Sequence, residues 1–207
     1  MLNITLYRHP LSGHSHRVEL LASLLNLNIN VVDVDLMKGE QRSAEFLAKN
    51  PAGQVPVLEV DGSFITDSNA ILIYLATRFD ATDTWLPVDP AGAAAVQHRL
   101  SEAVGPLAQG PAAARLITLF GAAYDADATI QAAHKFLNTL EARLSSHDWV
   151  AIDKPTIADV ALYAYIAHAP EGNVSLADYA GIRRWLNDVE ALNGFLPMQK
   201  SAVGLAA

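Results

Sequence analysis

Residues 7–20, YRHPLSGHSHRVEL, hold the densest set of potentially reactive side chains in the sequence. They include three histidines (His9, His14, His16), two serines (Ser12, Ser15), two arginines (Arg8, Arg17) and Tyr7. Such groups can ligate a metal, attack a carbonyl, cradle an anion or simply cap a polar turn. Zinc wants three or four converging ligands. His14 and His16 stand two apart and diverge on a helix, so the spacing argues against a metal. A hydrolase serine wants a G-x-S-x-G elbow, and PLSGH lacks the first glycine. The chain has no cysteine. That removes a thiolate zinc site, a disulfide, a CxxC centre and a protein thiol nucleophile. An anion cradle and a polar helix start both remain open.

The surrounding elements must decide where these groups point. NITLY (3–7) alternates and reads as a strand. Residues 15–28 place Val18, Leu21, Ala22 and Leu25 on one helical face. INVVDVDL (29–36) is β-branched and reads as a second strand. Residues 43–50 form a short helix with Ser43 as N-cap, stopped by Pro51 and Gly53. VPVLEV and SFIT flank Asp61-Gly62, a two-residue hairpin signal. Residues 68–79 make a helix capped by Asp67 or Ser68. The order is β-α-β-α-β-β-α, with the first two strands parallel and the hairpin antiparallel.

The composition then shifts. DATDTWLPVDPAG (80–92) reads as a linker. Beyond it come Ala/Leu-rich helical segments at 91–120, 126–146, 156–168 and 176–193, the first broken near Gly105, Pro106, Gly110 and Pro111. Thr156 with Asp159 three residues on forms a capping box. The expected division is 1–80, a linker at 81–90, and an all-helical domain at 91–207.

Fourteen basic against 22 acidic residues give a net charge of −8. This argues against nucleic acid or an anionic membrane as partner. The start MLNITLYRHP shows no basic n-region followed by an apolar run, so no signal peptide is expected. No apolar run nears the roughly 18 residues of a membrane span. The expected location is the cytoplasm, and the absence of cysteine, which does not fix a compartment, fits its reducing conditions.

Pro56 opens an apolar strand, where it marks an edge, a bulge or a cis bond. Here the pieces join. NPAGQVPVLEVDG, TDSNAILIYLA, the Trp/Pro/Asp linker and the helical half with IADVAL and RRWLNDVEALNGF resemble the glutathione S-transferases. The likeness spans nearly the whole chain. It implies a thioredoxin-like domain plus an α-helical domain, a homodimer, a cis Pro56, glutathione as co-substrate and no metal.

The resemblance also implies residue roles. HPLSGHSHRV looks like the stretch of serine-type, theta- and phi-like members, with Ser12 at the catalytic serine. Tyr7 and Ser15 are the competing hydroxyls. Asp67 and Ser68 would hold the γ-glutamyl end at a helix start, with Gln54 reaching toward it. The Val55 backbone would pair with the cysteinyl part. Gln41 and Arg42 would meet the glycine carboxylate, with Lys38 as a nearby competitor. Asp67-Ser68-Asn69-Ala70-Ile71 departs from the usual Glu-Ser-Arg-Ala-Ile. The implied reaction is attack of the glutathione thiolate on a small apolar electrophile, received by the helical half; His98, Arg99, Glu102 and Tyr163 are candidate contacts there. Two other functions fit the same fold: a non-catalytic glutathione-binding or regulatory protein, and a glutathione-dependent peroxidase or isomerase.

Overall fold

The computed structural model describes residues 3–207; residues 1 and 2, within the expected first domain, lie outside them. The described residues form two compact units. One runs to Ala81 and takes back Asn193–Gln199; the other holds Thr82–Leu192 and Lys200–Ala207.

The first unit is a four-stranded sheet in the order β2-β1-β3-β4. Strand β1 (Ile4–Arg8) runs parallel to β2 (Asn30–Asp33) and antiparallel to β3 (Val57–Val60), which pairs antiparallel with β4 (Ser63–Thr66). The hairpin turn puts Asp61 at φ 48° and Gly62 at φ 82°. Both values are positive, the conformation that matches the twist of the two strands. Helices α1 (Gly13–Leu24) and α3 (Ser68–Phe79) pack against each other, and α2 (Ala44–Lys49) is short. Val18, Leu20, Leu21, Ile71, Leu72 and Leu75 are wholly buried with Leu6, Val57 and Leu58 of the sheet. Each such side chain stabilises the fold by about 1.5–3 kcal/mol.

Register decides where the loops emerge. Tyr7 lies opposite Val57, and Val57 opposite Thr66. The loop after β1, the loop before β3 and the start of α3 therefore share one end of the sheet. Ser12, Val55 and Asp67 all sit in those three connections.

The second unit is helical: α4 (Pro90–Val104), α5 (Ala113–Phe120), α6 (Ala126–Leu144), α7 (Ile157–Ala167) and α8 (Ala180–Glu190). The break expected near Pro111 is a π-turn over Ala108–Ala112. A Cβ on Gly110 would stand 2.7 Å from the Ala133 backbone, so only glycine allows that approach to α6. Thr156 and Asp159 form the capping box at the start of α7. Among the described residues no helix is long and apolar enough to cross a membrane.

Candidate active site

Ser12 is the N-cap of α1, extended at φ −87° and ψ 114°. Its Oγ accepts from the Ser15 N–H at 3.2 Å. That uses a lone pair and leaves the O–H to donate elsewhere. Ser12 is half-buried. The two competing hydroxyls are placed differently. Tyr7 donates its proton to Glu59 Oε2 at 2.8 Å. Burial first, then the Glu59 carboxylate, pushes the Tyr7 hydroxyl up to about 12. Ser15 is 0 % exposed, and its Oγ accepts from His9 N–H.

Asp67 caps α3 with Oδ1 accepting from Ala70 N–H at 2.9 Å, and its carboxylate is exposed. Its backbone stands at φ 69° and ψ 123°. For a residue other than glycine this is a strained conformation of the kind found at functional sites. Ser68 follows at 3 % exposure.

The bond between Val55 and Pro56 is cis. Val55 enters no backbone hydrogen bond with another described residue. The loop ahead of it is clasped by Asn50: its Nδ2 donates to Gln54 O at 2.8 Å and its Oδ1 accepts from Ala52 N–H. Gln54 is exposed. Gln41 and Arg42 lie on a 3-10 turn whose Gln41 carbonyl approaches Gly53, so that turn lies against the same loop. The Gln41 Oε1 is buried and lacks a hydrogen-bond partner among the described residues. Arg42 is exposed and makes no ion pair among the described residues. Lys38 is tied to Asp35 at 3.0 Å.

The histidines have separate duties. His9 Nδ1 accepts from Leu11 N–H at 3.2 Å and shapes the turn. His16 Nε2 donates to Leu196 O at 2.8 Å, fastening the returning segment to α1. His14 Nδ1 lies 3.0 Å from Ser68 Oγ and 2.9 Å from Arg17 Nη1. Burial first, then the Arg17 charge, lowers His14 to about 3, so it is neutral. Since the guanidinium only donates, Nδ1 accepts and Nε2 carries the proton. Among the described residues no group of three or more His, Asp or Glu could hold a metal.

The burial of Arg17 and the loop clasp made by Asn50 were not read from the sequence. Asn50 had a signal, an Asn before Pro and Gly where an Asx turn forms. Arg17 had a weaker one: Leu20 and Leu21, three and four residues on, share its side of the helix. Four polar residues proposed for the electrophile have partners inside the helical unit. Arg99 pairs with Glu102 at 2.8 Å, His98 approaches Glu102 at 3.4 Å, and Tyr163 donates to Glu190 at 2.8 Å.

Comparison with known proteins gives the family. The glutathione S-transferase N-terminal domain model matches residues 2–77, and the C-terminal domain model matches residues 109–193. Glutathione S-transferase D7 of Drosophila melanogaster is 30 % identical over 192 residues, 91 % of this chain and 84 % of its own. The chain belongs to the glutathione S-transferase family. Glutathione S-transferase 2 of Anopheles gambiae is 34 % identical over 86 % of both chains. A crystal structure of a possible glutathione S-transferase from Rhodopseudomonas palustris superposes with a TM-score of 0.87 at 31 % identity, covering 96 % of this chain and 98 % of that one. A transferase homologue from Drosophila mojavensis, solved with bound glutathione, gives a TM-score of 0.85 at 30 % identity, covering 93 % and 89 %. The fold is the thioredoxin-like domain with a helical partner that the sequence predicts, and the protein is a glutathione S-transferase-like enzyme.

Proposed function

We propose that this transferase activates glutathione through Ser12 and delivers the thiolate to a small apolar electrophile. The observation that carries the reading is the division of hydroxyl protons. Ser12 has a proton to give, whereas Tyr7 has spent its own on Glu59 and Ser15 is sealed in the interior.

A thiol of pKa near ~8.5 is mostly neutral at neutral pH. Donation from Ser12 Oγ–H favours the anion, and the positive end of α1 adds about 0.3–1 kcal/mol. Ser12 stays protonated throughout; it holds the sulfur and does not attack. Val55 supplies its N–H and C=O to the cysteinyl part as a short strand addition. Asp67, Ser68 and Gln54 hold the γ-glutamyl end, where the α3 N-terminus favours a carboxylate. Gln41 and Arg42 meet the glycine carboxylate; Arg42 rather than Lys38 suits that role, since Lys38 is already paired with Asp35.

Turnover of an aryl halide tests the assignment. Ser12→Ala is expected to lower kcat roughly tenfold or more, the loss of a hydrogen bond to a charged group, while glutathione affinity changes a few-fold at most. Unchanged kcat removes Ser12 from the chemistry.

A further inference from the structure

We propose that Asn193-Gly194, where the chain returns to the first unit after α8, is a site of spontaneous deamidation, and that its isoaspartate product releases the returning segment from α1. No other asparagine in the sequence is followed by glycine.

The fold demands glycine at this turn. Gly194 stands at φ 87°, and a Cβ on it would lie 2.8 Å from the Ser23 carbonyl oxygen. Only a residue without a side chain meets both conditions. The same lack of a side chain leaves the Gly194 nitrogen unshielded. Asn193 and Gly194 are both exposed, so water reaches them. Among the described residues, neither the Asn193 side-chain amide nor the Gly194 N–H has a hydrogen-bond partner. Asparagines elsewhere lack this freedom. Asn50 has both amide atoms bonded, and it precedes Pro51, which has no N–H. In Asn26-Leu27 and Asn173-Val174 the following N–H is already given to a backbone carbonyl.

The reaction balances with water alone. The Gly194 nitrogen attacks Asn193 Cγ and closes a succinimide ring. The Cγ–Nδ2 bond breaks, and Nδ2 leaves as ammonia with the proton that the Gly194 nitrogen gives up. Water then opens the ring. Addition at Cγ gives aspartate. Addition at the main-chain carbonyl gives isoaspartate, whose peptide link runs through Cβ and Cγ. Both products replace a neutral amide by a carboxylate. Isoaspartate also inserts one carbon into the backbone, about 1.5 Å of extra chain. The segment has little room for it. Gly194 O accepts from Ser23 Oγ at 2.6 Å, and its Cα lies against the Ser23 backbone. Two residues on, Leu196 O is held by His16 Nε2 at 2.8 Å.

The test incubates the full protein in mildly alkaline buffer, folded and unfolded in urea. Peptide mass spectrometry reads each asparagine, and protein-isoaspartate methyltransferase marks isoaspartate. In the folded protein Asn193 is expected to convert before any other asparagine, to both products. An Asn193 amide that outlasts another asparagine's, or that converts only in the unfolded sample, overturns the site. The isoaspartate form is then separated by chromatography, and hydrogen exchange is followed over residues 193–199. Exchange there is expected to be roughly tenfold faster or more, as loss of a holding hydrogen bond allows. Freshly prepared Asn193→Asp carries the charge without the extra carbon and is expected to exchange as wild type does. Equal exchange in the isoaspartate form and wild type overturns the release. Equal loosening in Asn193→Asp assigns the effect to charge and overturns the role of the inserted carbon.

Discussion

Burial and the neighbouring guanidinium of Arg17 together keep His14 neutral down to about pH 3. An ordinary histidine takes its proton near ~6.5. Between those values the unfolded chain binds a proton at this position and the folded chain does not. Stability is therefore full above the ordinary value and lost as pH falls toward the folded one, at up to about 1.4 kcal/mol per pH unit. His168 is lowered by burial as well, and adds loss of the same sign. Glu171 is buried too, yet bonds from His168, Ser201 N–H and Arg115 hold it below the usual carboxylate range, so its contribution also vanishes in acid. His14→Gln removes one of these proton-uptake sites. Urea unfolding between pH 4 and 6 is expected to show a slope shallower by close to one proton than wild type. Identical slopes would mean that His14 titrates normally in the folded protein.

Among the elements, α7 shows how much one side chain can organise. Asp159 accepts from Val150 N–H at 3.1 Å, Thr156 N–H at 2.8 Å, Thr156 Oγ at 3.1 Å and Trp185 Nε1 at 2.9 Å. Asp159→Ala leaves those donors buried without an acceptor, a loss of about 3–5 kcal/mol. The midpoint of denaturant unfolding reads it, and a change below ~1 kcal/mol would contradict the network. Half of this was legible. Thr156 and Asp159 stand three apart, a spacing that announces a cap. The bond to Trp185 comes from a separate helix, α8, and no local pattern carries it. Gly110 repeats the lesson: the break was visible at Gly110-Pro111, but the close approach of the α6 backbone that requires the glycine was not. The β-α-β-α-β-β-α order was readable because period and punctuation are local signals. In the candidate site the helix start at Asp67 was readable for the same reason, whereas α1 begins at Gly13, two residues before the start that its periodicity suggests. The burial of Arg17 was signalled only weakly, by Leu20 and Leu21 on its side of the helix, because a charge among polar neighbours otherwise reads as solvated.

The whole molecule sets an electrostatic problem. The chain carries a net charge of −8, and its substrate brings two carboxylates and, when activated, a thiolate. A negative protein repels such a ligand at long range, but salt screens exposed charges beyond about 8–10 Å. In the proposed site, the positive helix starts of α1 and α3 and the exposed Arg42 are the groups assigned to offset that repulsion close in. The sheet register makes this possible by sending the loops that carry Ser12, Val55 and Asp67 to one end. Among these groups Ser12 is the one assigned to the sulfur. The pKa of the bound glutathione thiol, followed by the ultraviolet absorbance of the thiolate, tests that assignment most directly. Wild type is expected to hold it well below the free value near ~8.5. Ser12→Ala is expected to raise it by roughly one unit or more, with glutathione affinity within a few-fold. A bound thiol whose pKa is the same in both proteins would leave Ser12 as a helix cap and nothing more.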